Sequence, residues 1–480
     1  MPFPFTLPTT STFSFSQCFT SNSHPSLPLL ASTQRAVLRT ALKKHKRLPP
    51  PSQSSNLSSV LQALNNYIPY LLALDSGISG NTIHGEEIDV VLASNPSIEW
   101  RATLSDNAVP GRENARVKIQ SIEYEIYFVL QTLAYTHTLL ARTTLHPLYS
   151  SATASPSAEQ RTAAIQTATK HLLAAASVHD YLAHRSEAIT SSPPSIDICT
   201  PTFRALRSLA LAEATMLAVL KDDPYPAAVA QDRNQNDKEW MIKAPDIPKV
   251  RAHLFARLSL AASEHAAEAA AALEGGEGRG KVDIELKRYV EDLRKTGRGK
   301  SCRFFGIDVE LGGKTGEAIA WCQAGLSEMR LSAVKEDGGK KGLGFGRLKK
   351  EWIEKREDRK VEKDAAWGSD AGRLEEGRVC DMLMAKWNKM NDTINTQSIP
   401  PFGPLLRTMP SGREIHSIKT FVPPDLDSHI LQTLRAPPDR SDDFEKDSSD
   451  EEGAALDPVG AFPGTKGDYL KSGNSSSAYY

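Results

Sequence analysis

Aspartate and glutamate are missing from the first 74 residues of this 480-residue chain, and no apolar run comes near the length of a membrane-spanning helix. A span needs about 18 or more apolar residues, so no transmembrane helix is expected. The five cysteines, Cys18, Cys199, Cys302, Cys322 and Cys380, are odd in number and scattered, with no CxxC and no closely spaced histidine partners. Neither a disulfide framework nor a zinc site follows from that spacing, and a reducing interior fits it best. The N-terminus also lacks the basic-then-apolar order of a secretory signal.

The acid-free start has two readings. It is rich in Ser and Thr and carries Arg35, Arg39, Lys43, Lys44, Lys46 and Arg47, a composition that resembles a mitochondrial transit peptide. Against that, "MPFPFTLPTT" is a Pro-broken, strand-like opening, and the cations come late, in "QRAVLRTALKKHKR", a stretch able to fold as a helix. A mitochondrially targeted helical protein or enzyme therefore stands as the alternative reading. Over the whole chain, Lys+Arg 57 balances Asp+Glu 58, with 40% apolar residues. That is an ordinary globular composition without a global bias toward nucleic acid or membranes. Eight acids crowd into residues 439–452. From about Ala436, Pro, Ser, Gly and Asp dominate and periodicity vanishes, so residues 436–480 are expected to form a disordered acidic tail beyond one folded domain of residues 1–435.

Most of the remaining sequence has helical period. Leu57, Val60, Leu61, Leu64, Ile68, Leu71 and Leu72 form one stripe, with Pro69 predicting a kink or break. Further helices are predicted over 113–142, 158–185, 202–221, 247–273, 314–335, 346–363 and 373–391. Long, Ala-rich helices on short loops suggest antiparallel pairs in a layered or solenoid array. The one β signal, "EIDVVLASNPSIEWRATLS", predicts two extended runs around an Asn-Pro turn. "LEGGEGRGK" and "EDGGKKGLGFGR" read as loops between helices.

Chemical motifs do not assemble. Gly313-Lys314-Thr315 ends like a phosphate-binding loop, but Asp308 stands where the loop needs Gly, and an acid there repels phosphate. "GLGFGR" follows no strand. His171, His179 and His184 share a helix at spacings of eight and five, which do not stack on one face. Cys322 follows Trp321 on an apolar face and reads as a structural thiol. No catalytic triad, paired carboxylates, metal site or cofactor is indicated, so an enzyme is not expected. Of the basic stretches, "RLKKEWIEKREDRK" alternates with acids like a solvated face. "KKHKR" is the better membrane or nucleic-acid candidate, beside simple solvation.

The opening "MPFPFTLPTTSTFSFS", the segment "NPSIEWRATLS", the helix "GEAIAWCQAGLSEMRL" and "PSGREIHSIKTFVPPDLD" together resemble the Bro-domain family. That is the fold of Alix and related ESCRT adaptors, and the closer likeness is to its fungal pH-response regulators. The resemblance runs from Met1 to about Leu434. It implies a mostly α, curved Bro-type domain with a TPR-like helical-hairpin middle and a small β-hairpin. It also implies a non-catalytic adaptor of ambient alkaline pH signalling in the cytoplasm, recruited to cortical or endosomal foci. Such an adaptor binds the C-terminal helix of the ESCRT-III filament subunit and other pH-signalling components. It reaches membranes through its partners, does not bind nucleic acid, and promotes proteolytic activation of a zinc-finger transcription factor. By alignment with the family, the partner patch falls on "ATMLAVLKDDPYPAAVAQD", with Leu217, Val219, Leu220, Tyr225 and Val229 as anchors; a core role for each is the competing reading. As anchors, such aliphatics would contribute about 1.5–3 kcal/mol each.

Downstream, prolines at 400, 401, 404, 410, 423 and 424 forbid a long helix through "MPSGREIHSIKTFVPP". An extended chain returning along the helical body is expected there. Arg413 either pairs with a buried carboxylate or contacts a partner.

Overall fold

The computed structural model describes residues 2–105, 114–148, 157–189, 191–226, 249–275, 281–331 and 368–437. Residues Met1–Arg435 form one compact unit. The tail expected to be disordered, the helix expected over 346–363, the glycine-spaced motif and Val229 lie outside the described residues.

The N-terminal segment is core. Phe3, Phe5, Leu7, Phe15 and Phe19 are all buried, and the Phe5 ring stacks on Tyr135 at 4.3 Å. Prolines at 2, 4 and 8 hold this stretch extended, which lets it thread between helices. A transit peptide removed on import would carry these aromatic rings away, so the packing weighs against the mitochondrial reading of the first residues. Strand β1 (Thr9–Thr10) then pairs antiparallel with β6 (Ile98–Arg101), which pairs with β7 (Arg116–Ile119). In the same way β2 (Phe19–Thr20) takes β5 (Val91–Leu92), while β3 (Thr82–Ile83) and β4 (Glu86–Glu87) make a small hairpin. The two runs around Asn95-Pro96 are thus strands, but they pair with the N-terminal segment and β7 rather than with each other.

Helix α1 (Leu27–Arg47) packs on α2 (Pro50–Ile78), and α2 continues through Pro69, the site of the expected kink or break, without a break. The next helix, α3 (Ile122–Leu145), starts later than its periodicity suggests. Val117 and Ile119 alternate with polar residues as strand β7, and the Ser121 side chain accepts from the Glu123 N–H to cap the helix. Then α3 packs on α4 (Ala158–Glu187), α4 on α5 (Thr200–Asp222), and α5 on α6 (Lys249–Gly275). Beyond it, α6 packs on α7 (Ile284–Glu310), α7 on α8 (Thr315–Glu328), and α8 on α9 (Arg373–Met390). Short α10 (Phe402–Arg407) and α11 (Ser428–Leu434) follow. This succession of neighbouring antiparallel helices is the layered array expected, with a few small strands.

Helix α7 carries no sequence expectation. A Cβ on its Gly297 would lie 2.9 Å from the Ser259 carbonyl of α6, so the glycines that obscure its helical period are what permits the close crossing. Buried carboxylates tie the layers together. Glu125 on α3 accepts from Arg35 Nε at 2.8 Å and from Tyr67 OH at 3.1 Å, and also from the Trp100 indole. Asp197 accepts from the Thr103 and Leu104 N–H groups.

Candidate partner-binding surface

The end of α5 is held by a buried charge cluster. Asp223, at its C-cap, meets Arg303 Nη2 at 2.6 Å and Lys300 Nζ at 3.3 Å. Lys300 also pairs with Glu376 Oε2 at 2.6 Å, and Arg303 closes the cluster onto Glu376. Two cations face two anions, which is the condition under which buried charge is tolerated. Burial would raise the Asp223 carboxyl, but Arg303 and Lys300 prevail and hold it at about 2. The Arg303 guanidinium lies 4.2 Å from the Phe304 ring centroid and 5.4 Å from that of Tyr225. The turn after α5 is therefore clamped to α7 and α9.

On this frame most of the sequence-selected anchors are interior. Leu217 is 3% exposed among Ala141, Leu145, Ile165, Ala168 and Leu172, and Val219 is fully buried against the α6–α8 cluster. Tyr225 is buried over Arg303. Leu217 and Val219, on the face of α5 that turns to α3, α4 and α6, and Tyr225, three residues beyond the helix, thus have interior side chains, the placement the competing core reading describes. Leu220 is half-buried against the same cluster as Leu148 and Leu173, with Met216 also half-buried on the same helix. These are the accessible aliphatics of the patch.

The segment after α10 runs extended across three helices, as expected. Gly412 N–H donates to Glu264 Oε1 at 3.0 Å and Arg413 N–H to the Arg257 carbonyl at 3.0 Å, both on α6. His416 meets the Ala214 carbonyl of α5 at 3.3 Å. Ile418 packs on Ala176, Ala210 and Leu211, Ser177 Oγ donates to the Lys419 carbonyl at 2.7 Å, and Phe421 meets the Tyr181 ring at 5.4 Å. Leu426, Leu431 and Leu434 then enter the core that holds Phe3 and Phe5. This strap is fastened by backbone groups and aliphatics. The Arg413 side chain is exposed and pairs with no carboxylate among the described residues, so of the two roles expected for it, the buried pairing is not made. Ile415, 52% exposed, and Val422, 79% exposed, leave apolar surface along the strap.

The motifs that failed in sequence stay apart. Gly313 turns between α7 and α8 at a φ of 77°, and Lys314 pairs with Glu317 at 3.5 Å. His171 meets the His137 ring at 3.1 Å, His179 is buried, and His184 bonds the Asp180 carbonyl at 2.8 Å. Burial lowers His137 to about 4, helped by His171. All five cysteines are buried, and none is joined in a disulfide. A cleft of about 660 Å3 between the N-terminal segment, the α1–α2 junction and α3 holds His45 and His146, but no carboxylate or thiol among the described residues lines it. No helix among the described residues is long and apolar enough to cross a membrane.

No family model matches the chain. The curated pH-response regulator protein palC of Emericella nidulans is 44% identical over 502 residues, which span 97% of this chain and 99% of that protein. The pH-response regulator protein palC of Cryptococcus neoformans var. neoformans serotype D is 24% identical over 88% of this chain and 92% of its own length. Among solved structures, one described as an ALIX BRO1 CHMP4C complex matches with a TM-score of 0.51 at 15% identity, over 90% of this chain and 97% of that one. At that identity the likeness speaks for the fold, and the strand-threaded helical array is of Bro1 type. With near-complete coverage on both sides of the first comparison, the chain belongs to the PalC family of pH-response regulators.

Proposed function

We propose that the chain is a non-catalytic adaptor of ambient alkaline pH signalling, the Pal/Rim pathway. In this reading it binds an ESCRT-III filament subunit through that subunit's C-terminal amphipathic helix. By helping to assemble the signalling complex it promotes proteolytic activation of the pH-responsive zinc-finger transcription factor. The observation that carries the reading is the 44% identity to a pH-response regulator over nearly the whole chain. The fold adds support, since its solved counterpart is described with CHMP4C bound to the BRO1 domain. The place of action is the cytoplasm, at cortical or endosomal foci to which partners recruit the chain.

The partner helix is assigned to the end of α5. Leu220 and Met216 are its accessible anchors, and Leu217, Val219 and Tyr225 support them from beneath. An apolar helix face seated on such a patch needs only a few buried aliphatics for micromolar affinity. The test is a pull-down of the full chain with the isolated C-terminal helix of the ESCRT-III filament subunit. Leu220→Asp should lower affinity by about tenfold or more with helicity intact. Leu217→Asp, which buries a charge, should unfold the chain instead. Failure of the wild-type chain to bind the helix would sink the reading.

A further inference from the structure

The cations of the acid-free N-terminus have separate fates in the fold. Arg35 is consumed by Glu125 inside the core. Arg39, Lys43, Lys44, Lys46 and Arg47 lie on the outer side and end of α1. Strands β6 and β7 add two more, because Arg101 and Arg116 lie directly opposite each other in the ladder, a placement that costs stability between like charges. Two positions along the ladder, on the same face, Glu99 opposite Lys118 is neutral overall. The Lys43 ammonium is drawn below its ordinary value by desolvation and by Arg39, Arg116 and Arg47. Lys46 is lowered by desolvation and by Arg101 and Arg116. Among the described residues, Arg39 Nε and Arg116 Nη1 are buried atoms without a hydrogen-bond partner. Between β6 and β7 the sequence also holds Asp106, Arg112 and Glu113, a net charge of one negative.

The solvent face of α1 carries a second feature. Leu29, Thr33, Ala36, Val37, Thr40, Lys44 and Arg47 recur at helical spacing and are all exposed, Leu29 at 58% and Val37 at 48%. Cations beside exposed aliphatics, with no acid on the helix, are the pattern of a helix lying in the headgroup region of an anionic bilayer. A single-stranded nucleic acid would call for aromatic side chains on which bases stack, and this face has none.

We propose that the outer face of α1, together with Arg116 on β7, docks this chain directly onto an anionic lipid bilayer. The lysines and arginines meet lipid phosphates, and Leu29 and Val37 enter the headgroup boundary. This goes beyond an adaptor brought to membranes only by its protein partners, and it is tested without them.

The full chain is sedimented with vesicles of phosphatidylcholine alone and of phosphatidylcholine with phosphatidylserine. Binding is expected to the mixed vesicles only, and to weaken as salt rises. The triple variant Lys43→Glu/Lys44→Glu/Arg47→Glu should lower partitioning about tenfold or more. Leu29→Ser/Val37→Ser should lower it a few-fold, with a weaker salt response than the charge variant. Circular dichroism checks that both variants fold. Should the triple variant misfold, Lys44→Gln/Arg47→Gln, confined to exposed positions, takes its place and should still weaken partitioning. Equal binding to both vesicle types, no binding to either, or undiminished partitioning of the folded charge variant overturns the proposal. So does preferential retention of a single-stranded oligonucleotide that the charge variant loses.

Discussion

Glu213 illustrates how a single residue that sequence gives no reason to notice couples distant parts of the chain. It lies fully inside α5, where Oε1 accepts from the Phe3 N–H at 2.9 Å and from Tyr289 OH at 2.8 Å. Burial pushes its carboxyl up to about 7, against opposing pulls from the N-terminal amine, Tyr289, Phe3 and Arg142. The folded value exceeds the unfolded one, so folding is unpenalised while the carboxyl is protonated in both states. Stability is lost as pH rises from about 4 through about 7, by an amount on the order of 3 kcal/mol. Asp223 has the opposite sign: held at about 2, it contributes stability that is present above the ordinary carboxylate range and lost on acidification. Glu213→Gln should therefore melt like the parent near pH 4 but higher than it near about pH 8, flattening the alkaline limb of the melting-temperature profile. Thermal melts across that range check it, and a variant that is equally destabilised at every pH would show that the carboxyl acts only through its hydrogen bonds. Sequence leaves two roles open for Leu217, Val219 and Tyr225 for a related reason. An i, i+3 aliphatic pattern marks a buried stripe, and nothing in one helix tells whether a partner or the same chain buries it.

At the scale of elements, helices with uninterrupted apolar period were legible, and α4, α5 and α6 lie within a few residues of their expected ends. What was lost has two physical causes. Helix α7 is masked by Gly297, Gly299 and Gly306, whose role appears only when its neighbours are in place. The two runs around Asn95-Pro96 were visible, but β7 fell inside an expected helix, and the pairing of β1 with β6 joins residues about 90 positions apart, which no local pattern encodes. The strap is the opposite case, since its prolines announced an extended chain and the chain is extended. Its tightest point is Gly412, where an added Cβ would stand 2.5 Å from the Ala261 nitrogen and 2.5 Å from Glu264 Oε2. The Ala261 backbone cannot yield as a side chain can. Gly412→Ala should lift the strap from α6 at a cost of about 1–3 kcal/mol. Arg413→Ala, at an exposed side chain, should stay within about 0.5 kcal/mol of the parent. Urea melts separate the two, and hydrogen exchange at residues 411–421 locates the release. A larger loss for Arg413→Ala would mean that its guanidinium anchors the strap after all.

For the whole molecule the telling fact is that both ends of the compact unit meet in one core. Phe3, Phe5 and Phe15 share it with Leu426, Leu431 and Leu434, and His84 bonds the Leu426 carbonyl at 3.0 Å. Residue-by-residue patterning shows each end as apolar but not that they close on the same interior. Such closure makes unfolding cooperative: neither end can leave without opening apolar surface in the other's neighbourhood. It also sets where the domain stops. The three leucines of the last turn region are nearly fully buried, so at about 1.5–3 kcal/mol each they contribute on the order of 5 kcal/mol, an upper estimate. That is comparable to the entire net stability of many domains. We expect a chain ending at residue 437, which lacks the acidic stretch of residues 439–452, to melt as the full chain does and to bind the ESCRT-III helix equally well. A chain ending at residue 425 should melt far lower or fail to fold, although it loses only 12 more residues. Limited proteolysis gives an independent reading, because the stable fragment should retain Leu434. If the shorter chain melted like the longer one, the leucines would be passengers on the surface of an already closed core. If the longer one lost partner affinity, the residues beyond the domain would belong to the interface itself.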